Sequence, residues 1–465
     1  MSLRLAFYGD DFTGSTDAME ALTLAGLNTA LFLAPPDANT LAAIGPLDAF
    51  GVAGDSRAMT PRTMDAALPG VFAALAQCGA PIVHYKVCST FDSAPEIGSI
   101  GHAMQIARQH FRHAWIPVVG GTPALRRYCA FGHLFARSGT DDQVYRIDRH
   151  PIMKAHPVTP MHESDLVLHL GQQVDLTLAN LPFTLLESGV EQVDREIDAM
   201  VGEGVGAVVL DSLSERHLTE VGQLLWRHAD AQQPVFVVGP SGVEYALTQW
   251  WRECGEIAAP DSTHRERFER FAPASKVLAV SASASMLSAA QIDAAVESGF
   301  QPVAVDAAAL LDPVSGAAAG ARLIVNICNA IEENGRVIVH TARGPDDPRI
   351  DAAVRVLQAF TGITDRLQAQ REAGQRIADA LATVIREVLQ WTRVQRLLLS
   401  GGDSSSRIVQ RLAPKALRMA ARLAPGAPLC EAVADEPWLH GLQLALKGGQ
   451  MGGRDFFDSA RAGRN

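Results

Sequence analysis

Short runs of consecutive apolar residues alternate along this chain with longer stretches whose apolar positions recur every three or four residues. Leu3–Tyr8, Ile82–Cys88, Trp115–Val119, Ala207–Asp211 and Val235–Gly239 read as strands buried on both faces. Thr63–Gln77 and Val193–Val201, lying between them, read as amphipathic helices. A further helix is expected from about Ser15 to Ala25, capped by Ser15 or Thr16 and stopped by Gly26. Residues 255–273 carry charges and prolines with little strand signal, so they are expected to link a domain at 1–254 to one at 274–465. The second series repeats the pattern. Val277–Val280, Pro302–Val305, Val337–Thr341 and Leu397–Ser400 are expected strands; Ala289–Ser298, Ala317–Glu333, Gly374–Trp391 and Ser406–Ala421 are expected helices. Strand–helix alternation of this kind predicts an α/β fold: two α/β domains with largely parallel sheets.

The polar stretch from Arg137 to Gln173 breaks the alternation and is expected to be an irregular excursion from the first domain. Its histidines (His150, His156, His162, His169) are spaced like no usual helical ligand pair, so no metal site is expected.

Composition narrows the class. The 465 residues are 48% hydrophobic and 20% charged, with a net charge of −11, enough apolar material for two full cores. No basic stripe suggests nucleic acid, and no apolar run reaches the length of a membrane span. Six scattered cysteines without a CxxC pair fit reduced thiols, so a cytoplasmic protein is expected.

Candidate chemistry sits where strands turn into helices, since ligands of open α/β sheets bind beyond the carboxyl ends of the strands. Gly9-Asp10-Asp11-Phe12-Thr13-Gly14 follows the first strand. A carboxylate there can orient or deprotonate a substrate hydroxyl, or it can simply cap the next helix. Arg57, after another apolar run, suits a carboxylate or phosphate, or a surface ion pair. Lys86 lies inside an apolar strand and must find an anion, or else snorkel from a sheet edge. Ser89, Thr90, Asp92 and Ser93 cluster just beyond it.

In the second half, Ser281-Ala282-Ser283-Ala284-Ser285 ends a strand with small hydroxyl residues. Ser400-Gly401-Gly402-Asp403-Ser404 and Lys447-Gly448-Gly449-Gln450-Met451-Gly452-Gly453 are glycine loops in which backbone N–H groups can converge on phosphates. No Gly-x-x-x-x-Gly-Lys-Ser/Thr loop is present, and Gly202-Glu203-Gly204-Val205-Gly206 precedes a strand where a dinucleotide fingerprint would follow one.

Taken in order, these segments resemble the four-carbon acid sugar kinase family over nearly the whole chain. Gly9 to Gly14 resembles the family's Ala-Asp-Asp-Phe-Thr-Gly, and Lys86 to Ser93 its Lys-x-Cys-Ser-Thr-Phe-Asp-Ser. His156 to Met161 matches a third segment, and Ser400 to Ser404 resembles the Ser-Gly-Gly-(Asp/Glu)-Thr nucleotide loop. Two segments depart: Ser281 to Ser285 stands for Ser-Gly-Ser-Cys-Ser, and Lys447 to Gly452 for Lys-Ser-Gly-Asn-Phe-Gly. The resemblance implies an N-terminal sugar-acid-binding domain and a C-terminal nucleotide-binding domain using ATP and Mg²⁺, and a homodimer. Its implied nucleotide contacts are Ser283, Gly401, Gly402, Asp403, Ser404, and Gly449 or Gly452. On the sugar-acid side it implies Asp11, Lys86 and Asp92 at the chemistry, with Asp10, Thr13, Arg57 and Ser89 around them. Arg57 and Lys86 are expected to grip the substrate carboxylate and Asp11 to receive the hydroxyl proton. The substrates implied are threonate, erythronate, 3-oxo-tetronate or 3-oxo-isoapionate, the extended Arg/His segment from Tyr145 to His150 favouring the branched keto-acid. A non-catalytic sensor and a sugar-acid lyase or isomerase are the competing readings, and the Gly401–Ser404 loop speaks against both.

Overall fold

The computed structural model describes residues 3–138, 142–156, 158–424, 426–449 and 451–464, with the side chains of Arg265 and Asp403 outside the description; Gln450 likewise lies outside the described residues. Two compact units divide the chain, Met1–Asp261 and Ser262–Asn465.

Unit 1 carries β1 (Leu5–Gly9), β2 (Thr29–Phe32), β3 (Ala49–Ala53), β4 (Ile82–Lys86), β5 (Ile116–Val119), β6 (Arg127–Ala130), β7 (His133–Arg137), β8 (Val144–Arg146), β9 (Leu178–Leu181), β10 (Ala207–Leu210) and β11 (Val235–Gly239). Its main sheet runs β2-β3-β1-β4-β11-β5-β10-β9, and every pair in it is parallel. Because helices cover both faces of such a sheet, its inner strands read as unbroken apolar runs; β1, β3, β4 and β11 are buried at every position.

The expected strands of unit 1 are present within a residue or two. Two local expectations give way. The first helix spans Phe12–Leu24, not Ser15 onward, because Asp11 is its cap: the Asp11 carboxylate accepts the Gly14 N–H at 2.8 Å. Ser15 and Thr16 instead bond back to the Asp11 and Thr13 carbonyls inside the first turn. The polar excursion holds more order than its composition suggests. It belongs to a three-stranded antiparallel sheet β6-β7-β8, two short 3₁₀ turns (Ile147–Arg149, Met153–Ala155) and a helix at Leu166–Gly171.

Unit 2 carries β12 (Val277–Ser281), β13 (Gln301–Ala304), β14 (Arg336–His340), β15 (Arg396–Ser400), β16 (Ala416–Ala424), β17 (Ala427–Val433) and β18 (Gln443–Lys447). Its order is β13-β14-β12-β15-β18-β17-β16, parallel up to β18 and antiparallel thereafter. A helix expected over Ser406–Ala421 is replaced by a helix at Gly402–Leu412 followed by β16. Pro414 ends the helix. Pro lacks an N–H and disfavours helical geometry at its predecessor, and Ala413 accordingly sits at φ 53°. A short helix, Ser262–Glu269, lies within the interval expected to be the linker.

Candidate functional site

In unit 1 the carboxyl ends of β1, β3 and β4 bring three loops side by side. The register pairs Gly9 with both Ala53 and Lys86, so Asp10, the Gly54–Arg57 turn and the Val87–Ser93 loop leave the sheet as neighbours. Backbone bonds fasten them: Asp10 N–H to Lys86 O at 2.9 Å, Arg57 N–H to Asp10 O at 2.9 Å and Gly54 N–H to Gly9 O at 3.0 Å. The Arg57 guanidinium then takes Asp10 in its fork, Nε to Oδ2 at 3.0 Å and Nη2 to Oδ1 at 2.6 Å, and reaches Asp11 Oδ1 at 2.9 Å. Asp11 is thus both a helix cap and an Arg57 partner. Both recorded bonds use Oδ1.

Lys86 ends β4 between β1 and β11, in the middle of the sheet and 3% exposed, so it is not a snorkelling edge residue. Its Nζ donates to Val87 O at 3.2 Å and stands 3.7 Å from Asp17 Oδ2, under the first turn of the Phe12–Leu24 helix. A Cβ at Gly14 would fall 2.9 Å from that Nζ. Beyond β4, Asp92 accepts the Thr90 hydroxyl at 2.7 Å, and Thr90 contacts Cys88 Sγ at 3.0 Å. Phe91, at φ 54°, is a non-glycine residue in the left-handed region, and its carbonyl accepts from Ser93 Oγ at 3.0 Å. Ser93 is also 3.0 Å from His169 Nε2, which ties the polar excursion to this loop. Thr13 and Ser89 are half-buried beside these groups.

Burial pushes the Asp10 carboxyl up to about 6, against the pull of Arg57. Burial raises Asp17 as well, with Lys86 opposing it. At Asp92 burial also acts upward, but the Arg57 charge and the Cys88 and Thr90 hydrogen bonds outweigh it and hold the group below the usual carboxylate range. Burial and the Asp92 charge push the Cys88 thiol up to about 12, which disfavours its thiolate. The region therefore contains ionised carboxylates, a clamped guanidinium and a buried ammonium around small hydroxyl residues. Such a set can hold a polyhydroxylated anion and accept a proton from it.

One neighbour is fully enclosed. His84 Nε2 faces the Gly239 carbonyl at 2.8 Å and so carries a proton, while Nδ1 lies 2.6 Å from Glu244 Oε1, a contact that needs a second one. Both side chains are inaccessible, so this pair braces β4 against the Gly242–Glu253 helix.

In unit 2 the ends of β12, β15 and β18 converge in the same way, since Ser281 pairs with Ser400 and Ser400 with Lys447. Ser285 Oγ donates to Gly449 O at 2.6 Å, Ser283 Oγ accepts the Ser285 N–H at 3.2 Å, and Gly401 N–H donates to Lys447 O at 3.0 Å. Gln291 Nε2 gathers the carbonyls of Met451 at 3.1 Å and Gly453 at 2.8 Å. Gly401 sits at φ 119°, which only glycine adopts without strain, and a Cβ at Gly449 would overlap Ser283 Oγ. Gly402 faces open space, with nothing within 4 Å of where its Cβ would stand. Gly401 caps the Gly402–Leu412 helix without a side-chain bond. The buried hydroxyls of Ser281 and Ser405 find no partner among the described residues. Glycines without bulk, unclaimed donors and a helix start together make a cradle for phosphate.

The predicted residues therefore gather into two sets. Asp10, Asp11, Thr13, Arg57, Lys86, Ser89 and Asp92 lie together in unit 1. Ser283, Gly401, Gly402, Ser404, Gly449 and Gly452 lie on the converging loops of unit 2, where the Asp403 side chain is outside the description. Arg57 and Lys86 already hold carboxylates of the chain itself, which the sequence reading did not include. Asp17 was missed, although an acid three residues after Gly14 on the same helix face could have been matched to the Lys86 that needed it. Lys447 ends β18 instead of opening a loop and is 0% exposed, with Nζ 5.4 Å from the Phe456 ring centre and 6.0 Å from that of Phe457.

Two family profiles match the chain. One, described as a sugar-binding N-terminal domain, matches residues 5–247; the other, a nucleotide-binding C-terminal domain, matches 278–457. The chain is 42% identical over 462 residues to the 3-oxo-isoapionate kinase of Paraburkholderia graminis, covering 99% of this chain and 95% of that one. It is 32% identical over 464 residues to the 3-oxo-tetronate kinase of Methylobacterium radiotolerans, covering 99% of both. Among solved structures, a protein from Salmonella typhimurium LT2 superposes with a TM-score of 0.74 at 21% identity, covering 99% of this chain and 100% of the other, which shows a shared fold.

Proposed function

The chain belongs to the four-carbon acid sugar kinase family, and we propose that it transfers the terminal phosphoryl group of ATP to a terminal hydroxyl of a small sugar acid, with 3-oxo-isoapionate as the favoured acceptor. The phosphate cradle of unit 2 carries this reading: three strand-end loops converge there around glycines and unpaired buried hydroxyls. Full-length similarity to a 3-oxo-isoapionate kinase orders the acceptors, ahead of 3-oxo-tetronate, threonate and erythronate.

In this reaction the acceptor oxygen forms a bond to the γ-phosphorus, the bond from that phosphorus to the β,γ-bridging oxygen breaks, and ADP leaves with the bonding electrons. The hydroxyl proton passes to Asp11, whose Oδ1 is held by Gly14 and Arg57 while its Oδ2 accepts no hydrogen bond among the described residues. Asp10 and Arg57 fix Asp11 in place, and Lys86 and Asp17 fix the turn beneath it. Ser89, Thr13 and Asp92 border the sugar hydroxyls. On unit 2, Ser283, Gly401 to Ser404, Gly449 and Gly452 border the nucleotide phosphates. Among the described residues no group of three His, Cys, Asp or Glu side chains could hold a metal. A Mg²⁺ carried by ATP would supply charge neutralisation at the phosphates bordered by Ser283, Gly401, Gly402 and Gly449. No helix among the described residues is long and apolar enough to cross a membrane. The reading extends to a cytoplasmic protein, as its scattered cysteines suggest, and to a homodimer, as the family resemblance implies, and sedimentation equilibrium measures the assembly.

ADP release with Mg-ATP against a panel of four-carbon and branched sugar acids, with their 3-oxo forms, tests the proposal. Turnover with 3-oxo-isoapionate above the other acids supports it. ATP binding without turnover on any acid would favour a sensor, and product formation without nucleotide would favour a lyase or isomerase.

A further inference from the structure

We propose that Arg127, on the first strand of the small antiparallel sheet, receives the carboxylate of the sugar acid and so selects acids over neutral sugars. The inference rests on the sugar-acid reading above. It begins from charge balance. The two cations expected to grip the substrate carboxylate are already committed, Arg57 to Asp10 and Asp11 and Lys86 to Asp17. A cation locked in a bidentate pair has little to offer a second carboxylate without breaking the first.

Arg127 differs. Among the described residues no carboxylate pairs with it. Its Nη1 donates only to the carbonyls of Leu125 at 3.0 Å and Arg126 at 3.3 Å, and its Nε is buried with no acceptor. Its neighbours Arg126 and Arg137 share Asp142 instead.

The topology places Arg127 at the right edge of the sheet. β5 ends at Val119, and the loop that follows is closed by reciprocal backbone bonds between Thr122 and Arg127, at 2.8 and 3.1 Å. β5 pairs with β11, which pairs with β4, so this loop leaves the same carboxyl edge as the Val87–Ser93 loop. Arg127 is close enough to the latter for its charge and the Cys88 group to interact, and burial lowers its own affinity for its proton. A half-buried guanidinium with an orphaned N–H, at the same sheet edge as a loop rich in hydroxyls, is an anion site in want of its anion. A planar carboxylate matches its fork. A neutral sugar does not.

The test compares wild type with Arg127→Met and Arg127→Lys by calorimetric binding of the acid and by steady-state kinetics. Each protein is measured on 3-oxo-isoapionate and on the matching sugar without a carboxylate. Arg127→Met is expected to weaken acid binding and raise its KM on the order of 10- to 100-fold, with kcat and the KM for ATP little changed. Arg127→Lys should recover part of the loss, because it restores a point charge without the fork. The preference for acid over neutral analogue should collapse in Arg127→Met, a change that general loosening of the sheet would not produce. Equal acid affinity in wild type and Arg127→Met overturns the inference. Acid binding lost in Arg127→Met upholds it even where the wild type binds an acid without phosphorylating it, so the carboxylate site and the kinase reading fail separately. A wild type that binds none of the acids overturns both.

Discussion

Replacing Asp10 by Asn tests whether one buried carboxylate holds the unit 1 site together. Asp10 is 3% exposed and receives Arg57 Nε at 3.0 Å and Nη2 at 2.6 Å. Asparagine keeps the shape but, unlike a protonated Asp10 that can still offer an oxygen to Arg57, it turns N–H donors toward the guanidinium, so the cost comes from opposed donors and a guanidinium short of an acceptor rather than from the lost charge. Breaking a buried pair by removing one partner costs about 3–5 kcal/mol. Arg57 still reaches Asp11 at 2.9 Å and is 24% exposed, so the lower end, ~3 kcal/mol, applies. At roughly 2–4 °C per kcal/mol for a domain of this size, the unfolding midpoint of unit 1 should fall by about 6–12 °C, read by differential scanning calorimetry. The pH dependence gives an independent readout. Burial raises the Asp10 carboxyl from 3.8 to about 6, so between those values the folded state keeps a proton that the unfolded chain releases. That contribution to stability is present below pH 3.8 and lost as pH rises through about 6. In wild type, kcat/KM should fall as pH drops through about 6 and the Arg57 pair is neutralised; Asp10→Asn should be slow at every pH and lack that step. A midpoint lowered by less than about 2 °C, together with wild-type kcat/KM, would refute the reasoning, because Arg57 would then be held by other groups.

Two further outcomes follow from unit 2. Gly449→Ala places a Cβ onto Ser283 Oγ and should raise the KM for ATP about tenfold or more, leaving sugar-acid binding by calorimetry unchanged. Lys447 is held down to about 8 from 10.5 by burial, so the fold penalises its charged form. Stability should rise between pH 8 and 10.5 by about 1.4 kcal/mol per unit in wild type and lack this rise in Lys447→Met, which keeps the packing against Phe456 and Phe457; parallel urea titrations of the two across that range measure the difference.

Much of the fold is legible in the chain because its causes are local. Strands such as Val235–Gly239 announce themselves as unbroken apolar runs, since both faces of a parallel sheet are covered. Where periodicity alone misleads, the competing signal is also local. Pro414 ends the Gly402–Leu412 helix, and Asp11 outcompetes Ser15 and Thr16 as a cap. The strand at Ala416–Ala424 reads as a continuation of that helix because its positions, alternately buried and more exposed from Leu417 on, also satisfy a short helical pattern over a few residues.

The site divides along the same line. Residue types and strand-end placement picked out the loops that the folded sheet edges bring side by side, because glycine freedom and strand-to-helix turns belong to the local backbone. Which charge answers which was decided only by the tertiary structure. Asp10 meets Arg57 because β1 and β3 share a register, Lys86 meets Asp17 because β4 runs beneath the first helix, and Arg127 has no carboxylate partner among the described residues while Asp142 pairs with Arg126 and Arg137. Helical and strand periods are written within a few residues. An ion pair across 46 or 69 positions depends on strand order and register, which the crossovers set, and no window of the sequence contains it.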